Sequence, residues 1–166
     1  MENKPTVLYH GSPHGGIEEL EPRSEKTRDS NEGPVIFASP SLAIAITFTA
    51  NTRASGFIND TPYVIIVGDR EEFIRNDNGG HVYILPSDNF VFDHQKGMGM
   101  YEWTTKVKVR PIDKIEFSSS LDAMLENEVQ VYFMEEETYK NLDDHHAGLE
   151  KLESENQRRG VNVKKF

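Results

Sequence analysis

Apolar residues in this chain come only in short runs, each followed by turn-forming residues. The longest runs, residues 42–46 and 64–67, are far shorter than the roughly 20 apolar residues that cross a bilayer. Residues 62–67 are apolar on both faces, which is typical of a central strand. Because such runs form short strands and only brief helices, the pattern predicts a fold of the α+β class.

Further short elements follow from the same pattern. Strands are predicted at residues 6–10, 35–38, 62–67, 82–85, 89–92 and 129–133, and helices at residues 42–50 and 120–126. Residues 103–109 alternate, with Trp103, Thr105 and Val107 on one face, and predict one more strand. Ser39 and Ser120 are expected to cap the two helices.

Composition limits the classes of function. The 166 residues include no cysteine, which excludes disulfides and cysteine-ligated zinc. The formal net charge of -10 argues against nonspecific nucleic-acid binding, which depends on Lys and Arg. We expect a soluble, cytoplasmic protein with no membrane partner. Residues 1–135 are predicted to form one domain, and residues 136–166 a C-terminal helix and basic tail on that domain.

The histidines do not predict a metal site. His10 and His14 have the spacing of helical metal ligands, but Pro13 places them in a turn, where that spacing has little meaning. His145 and His146 lie among acidic residues of a predicted surface helix. No metal is therefore expected.

Three segments carry residues suited to chemistry. The first is the strand end Leu8-Tyr9-His10-Gly11-Ser12. The second, residues 33–39, reads Gly-Pro-Val-Ile-Phe-Ala-Ser and leads into a helix of small residues. The third is Tyr101-Glu102-Trp103, where a glutamate opens the alternating strand after a glycine-containing loop.

In this order the segments resemble the core segments of the histidine-type ADP-ribosyltransferases, which include the poly(ADP-ribose) polymerases and small rifampin-modifying enzymes. The resemblance spans roughly residues 7–117 and implies a split β-sandwich with a few short helices, with NAD as substrate and no metal. It implies that His10 binds a ribose hydroxyl, that Gly11 lets the nicotinamide amide reach the main chain, and that Ser12 is the small residue after them. Further cofactor contacts are implied at Ile36, Phe37 and Ser39. Separately, Arg28 and Arg23, in the loop after the first strand, are expected to pair with the cofactor pyrophosphate or to be free surface residues.

The resemblance also implies that Glu102 is the catalytic carboxylate. Breaking the nicotinamide–ribose bond leaves an oxocarbenium-like ribose, which a nearby carboxylate stabilises. Two positions depart from the family. Ile36 stands where a tyrosine stacks on nicotinamide, and Met100, two residues before Glu102, argues against arginine as the acceptor.

Three interpretations stay open. The chain is an enzyme that transfers ADP-ribose from NAD to an unknown protein or small molecule, with NAD hydrolysis or removal of an RNA 2′-phosphate as related chemistry. Alternatively it is a non-catalytic binding protein on the same fold, or an unrelated α+β protein. Lys106, Lys108 and Arg110 are expected to touch phosphate or to form a solvated strand edge.

Overall fold

Nine strands and five helices alternate along the residues that the structure, a computed structural model, describes: 3–24, 33–92, 101–142 and 145–158. This mixture confirms the α+β class. The strands are β1 (Val7–Ser12), β2 (Ile36–Ala38), β3 (Ala54–Ile58), β4 (Thr61–Val67), β5 (Gly80–Pro86), β6 (Val91–Phe92), β7 (Trp103–Thr105), β8 (Asp113–Phe117) and β9 (Gln130–Met134). The helices are α1 (Leu42–Ile46), α2 (Arg70–Asn76), α3 (Ser120–Glu126), α4 (Glu136–Lys140) and α5 (His145–Arg158).

The strands form three-stranded sheets with the orders β1-β5-β8, β2-β7-β6 and β3-β4-β9. Neighbouring strands are antiparallel except β4 and β9, which are parallel. A bridge between Tyr9 and Ser39 joins the first two sheets, because each residue donates its backbone N–H to the other's carbonyl at 2.7 and 2.9 Å. β2 therefore runs alongside β1, and the first two sheets meet at these two edge strands.

Three apolar clusters hold these layers together. One joins α1, α3, β4, β5 and β9 through buried side chains that include Ala45, Val64 and Met124. A second cluster lies at β1, β2 and β5. The third fixes α5, because Leu149 is fully buried against residues of β4 and β9. Burial of one such leucine stabilises the fold by about 2 kcal/mol.

Two predicted boundaries were wrong by four residues. β7 ends at Thr105 rather than at residue 109: Thr104 and Thr105 are both buried, whereas Val107 is exposed. The first helix ends at Ile46, and the residues that follow form turns. Each expected cap is displaced. Ser41 caps α1 in place of Ser39, and Ser119 caps α3 in place of Ser120.

The turn before β5 is tied to α3 by one carboxylate. Asp77 accepts hydrogen bonds from Gly79 N and Ser120 N at one oxygen, and from Ser119 Oγ and Leu121 N at the other, at 2.8–2.9 Å. Burial alone would raise the pKa of Asp77, but the bonds from Leu121, Ser120, Gly79 and Ser119 together lower it. Asp77 thus satisfies two otherwise unpaired N–H groups at the start of α3.

Among the helices of the described residues, none has the length and apolar content needed to span a bilayer.

Candidate functional site

The three segments singled out in the sequence lie on three consecutive strands. β1 is bridged to β2 by Tyr9 and Ser39. β2 pairs with β7, where Ala38 lies opposite Trp103. Segments far apart in the chain are therefore brought side by side, with Glu102 directly before β7.

The register indicates how near the backbones at His10 and Glu102 are. Because Ala38 pairs with Trp103, Glu102 lies at the end of β2 that leads to Ser39, which is bridged to Tyr9. His10 lies one residue further along β1, and two strand spacings, about 10 Å, separate the backbones of β1 and β7. Because Glu102 precedes the first paired residue of β7, the pleat of the strand does not fix the direction of its side chain.

His10 is half-buried, and its Nδ1 lies 2.7 Å from the carbonyl oxygen of Phe37. A carbonyl oxygen only accepts, so we assign the proton of this contact to Nδ1. In the neutral ring Nε2 is then an acceptor. β2 thus fixes the orientation of the imidazole on β1.

The fold itself accounts for Gly11 and Ser12. A Cβ at position 11 would lie 1.8 Å from the carbonyl oxygen of Ala45, so only glycine allows α1 to approach β1 this closely. Ser12 is 7% exposed, and its Oγ accepts a hydrogen bond from His14 N at 3.1 Å. Both residues therefore have structural roles beside the cofactor roles that the resemblance implies.

The second segment is mostly buried. Ile36 is 3% exposed inside the apolar cluster of β1, β2 and β5, and Ser39 is fully buried, with its Oγ accepting from Ser41 N. Phe37 is half-buried, and its ring lies 5.3 Å from that of Phe48 in a tilted pair. Sequence reasoning missed Phe48. It lies in the partly buried turns after α1, which bring its ring to β2.

Glu102 lies between two residues whose rings are both stacked. Tyr101 stacks on Phe57 of β3, with centroids 4.8 Å apart and planes 17° apart. Trp103 stacks on Phe92 of β6 at 5.2 Å and 26°. Sequence reasoning missed Phe57 as well. Its signal was the turn Asn59-Asp60, which begins two residues after it and marks a hairpin.

Two residues of the sequence argument lie outside the described residues. Arg28 belongs to residues 25–32 and Met100 to residues 93–100. The proposed contact of Arg28 with the cofactor stays a prediction.

Two of the basic residues after β7, Lys108 and Arg110, are neutralised locally. Lys108 pairs with Glu21 and, at 3.7 Å, with Glu19, while Arg110 pairs with Glu19 at 3.2 Å. The hydrogen bond between Lys108 and Glu21 raises the pKa of the amine and lowers that of the carboxyl. These pairs are exposed and favour the solvated-edge interpretation for Lys108 and Arg110 over a phosphate contact.

A groove of about 510 Å³ lies beside α2 and begins at Pro13, just after β1. Its lining includes Asp69 and Asp77, but not His10 or Glu102. Asp69 caps α2 and Asp77 binds the start of α3, so both carboxylates serve the fold. No group of three or more His, Asp or Glu that could hold a metal ion occurs within the described ranges.

Comparison of the chain with protein-family models, with curated proteins and with solved structures gives no match. The function therefore has to be inferred from the geometry of the site.

Proposed function

We propose that this chain is an NAD-binding, ADP-ribosyltransferase-like protein that transfers ADP-ribose to an unknown protein or small-molecule acceptor. The observation that carries the proposal is the strand order. β1 with His10, β2 with Phe37 and β7 with Glu102 at its head are consecutive neighbours. An unrelated protein with an accidental motif match has no reason to bring these segments together.

The finer fold belongs to the same proposal. The bridge between β1 and β2 joins two of the sheets into one surface, and the sheet β3-β4-β9 packs against it through the cluster that includes Val64 and Val82. Two sheet layers with short helices between them support a split β-sandwich. A cytoplasmic location is part of the proposal, and the locally paired basic residues favour an acceptor other than nucleic acid.

In the proposed reaction His10 binds and Glu102 stabilises charge. The Nδ1 proton of His10 is donated to the Phe37 carbonyl, so Nε2 accepts from a ribose hydroxyl. As the bond between nicotinamide and ribose breaks, its electron pair leaves with nicotinamide and positive charge develops on the ribose. The Glu102 carboxylate stabilises that charge until the acceptor's nucleophile attacks.

The decisive experiment compares nicotinamide release from NAD by the wild type and by Glu102→Gln. Loss of the charge-stabilising group is expected to lower turnover by about 10²- to 10³-fold. Glu116→Gln is the matched control, because Glu116 is an exposed carboxylate on β8 and is expected to leave turnover unchanged. Equal release from wild type and Glu102→Gln would remove Glu102 from the mechanism.

A second candidate, a non-catalytic NAD-binding protein on the same fold, is favoured by Ile36. A buried aliphatic side chain replaces the stacking tyrosine of the family. For this candidate NAD raises the thermal midpoint, but neither the wild type nor Glu102→Gln releases nicotinamide. At a hundredfold excess over its Kd, NAD would stabilise the fold by about 2.7 kcal/mol. An unchanged midpoint at millimolar NAD would contradict both candidates.

A further inference from the structure

The β3–β4 hairpin has a fixed register. Its two-residue loop, Asn59-Asp60, has φ angles of 48° and 62°, and the flanking residues Ile58 and Thr61 are paired. Positive φ at both loop residues is the mark of a type I′ turn, whose twist matches that of the strands. Asn and Asp adopt this conformation more readily than other side chains. The hairpin therefore holds Phe57 opposite Pro62.

Phe57 reaches out of its own sheet. Its ring stacks on Tyr101, the residue at which the described chain resumes after residues 93–100. Through this stack the sheet β3-β4-β9 contacts the chain segment that enters β7. The same segment is held on its other side by the stack of Trp103 on Phe92, and β7 pairs with both β2 and β6.

Glu102 is thus the single residue between two anchored neighbours. One anchor, Trp103, belongs to the sheet that contains β7. The other, Tyr101, depends on a ring from a different sheet. Removing the ring at position 57 would release only the Tyr101 side of Glu102 and leave the Trp103 stack in place.

We propose that Phe57 is a positioning residue for Glu102. This inference rests on the proposed function, since it concerns the carboxylate that the reaction uses. Phe57 acts through Tyr101 and need not touch NAD. Phe57 keeps the backbone of residue 102 at the end of the sheet. This matters for catalysis, because a reacting group displaced by about 1 Å loses up to a hundredfold in rate.

The test measures kcat and KM for NAD in Phe57→Leu. We expect kcat to fall about tenfold with KM unchanged, because His10 and Gly11 are not displaced. Phe57→Tyr keeps an aromatic ring and is expected to restore kcat. The matched control is Phe73→Leu, which removes one ring of the pair formed by Phe73 and Phe133 at 5.6 Å, away from Glu102.

The outcomes separate the two proposals. A wild type that releases no nicotinamide, or a Glu102→Gln variant as active as the wild type, overturns the proposed function and with it the role of Phe57. An active wild type, an inactive Glu102→Gln and a Phe57→Leu with full kcat overturn the positioning role alone. Equal losses in Phe57→Leu and Phe73→Leu also overturn it. If Phe57→Leu does not fold, Tyr101→Leu removes the same stack from its other ring and carries the same expectation.

Discussion

Asp77 and Glu102 are two carboxylates that lie shortly before a strand, β5 and β7 respectively, but the structure holds them in different ways. Both oxygens of Asp77 accept hydrogen bonds, four in all, from its own turn and from α3. Glu102 is held through its neighbours, whose rings stack on β3 and β6. The first arrangement uses the carboxylate to join a turn to a helix, whereas the second fixes a backbone position through the two neighbouring rings.

The comparison therefore separates stability from function. Substitution at Asp77 is expected to lower the free energy of unfolding most, and substitution at Glu102 to lower it less while reducing turnover. Gly11 of β1 combines the two roles, because it allows α1 to pack closely and is also a proposed cofactor contact.

The largest expected effect is that of Asp77→Ala. It removes four hydrogen bonds to a charged acceptor and leaves the first N–H groups of α3 without their acceptor, at a cost of about 4 kcal/mol. Glu102→Gln keeps the size of the side chain and its ability to accept hydrogen bonds, and is expected to cost less, about 1 kcal/mol. Urea denaturation of both variants measures the difference, and similar losses in the two would break the comparison.

Gly11→Ala comes next. The new Cβ would lie 1.8 Å from the Ala45 carbonyl oxygen, so α1 must move away from β1, at a cost of about 3 kcal/mol. Gly16→Ala is the control, because a Cβ there meets nothing within 4 Å, and its positive φ of 71° costs only about 1 kcal/mol. Equal unfolding midpoints for the two variants would show that α1 does not depend on a glycine at position 11.

The smallest effect is a pH dependence at Asp77. Its pKa in the folded state lies below the ordinary value of 3.8, so as pH falls the unfolded chain binds this proton first. The stabilisation from Asp77 is complete above the unfolded pKa and is lost as pH falls through the folded pKa. The difference in unfolding free energy between wild type and Asp77→Asn should thus shrink below about pH 4. Urea titrations at pH 6, 4 and 3 measure it, and a constant difference would contradict the assignment.

Sequence patterns predicted most of the elements that have strong local signals. The strands at β1, β2, β4, β5 and β9 and helix α3 follow from apolar runs and turn residues, and all are present. β3 was missed because Ala-Ser-Gly is a poor strand former, and the pairing with β4 is what holds it extended. β8 was missed because its exposed residues are mostly charged, and it forms an edge strand.

The candidate site was predictable only where its residues were sequence motifs. His10 and Glu102 stood out by their motifs, and the strand order brings their segments together. The contacts that orient them were not predictable, since the Phe37 carbonyl and the ring of Phe57 come from pairing and packing between distant segments. The alternation after Trp103 also misled, because alternation describes a strand's faces and does not fix where the strand ends.

The bridge between Tyr9 and Ser39 has a consequence for access to the site. In the part of the chain that the structure describes, β1 and β2 share this one bridge, made of two backbone hydrogen bonds. The bridge is thus the backbone connection between the strand that carries His10 and the strands β2 and β7, with Glu102 directly before β7. In the proposed function, a bulky acceptor would enter only if these two bonds and the bond from His10 Nδ1 to the Phe37 carbonyl were broken. The amide protons of Tyr9 and Ser39 would report that opening by exchanging with deuterated solvent.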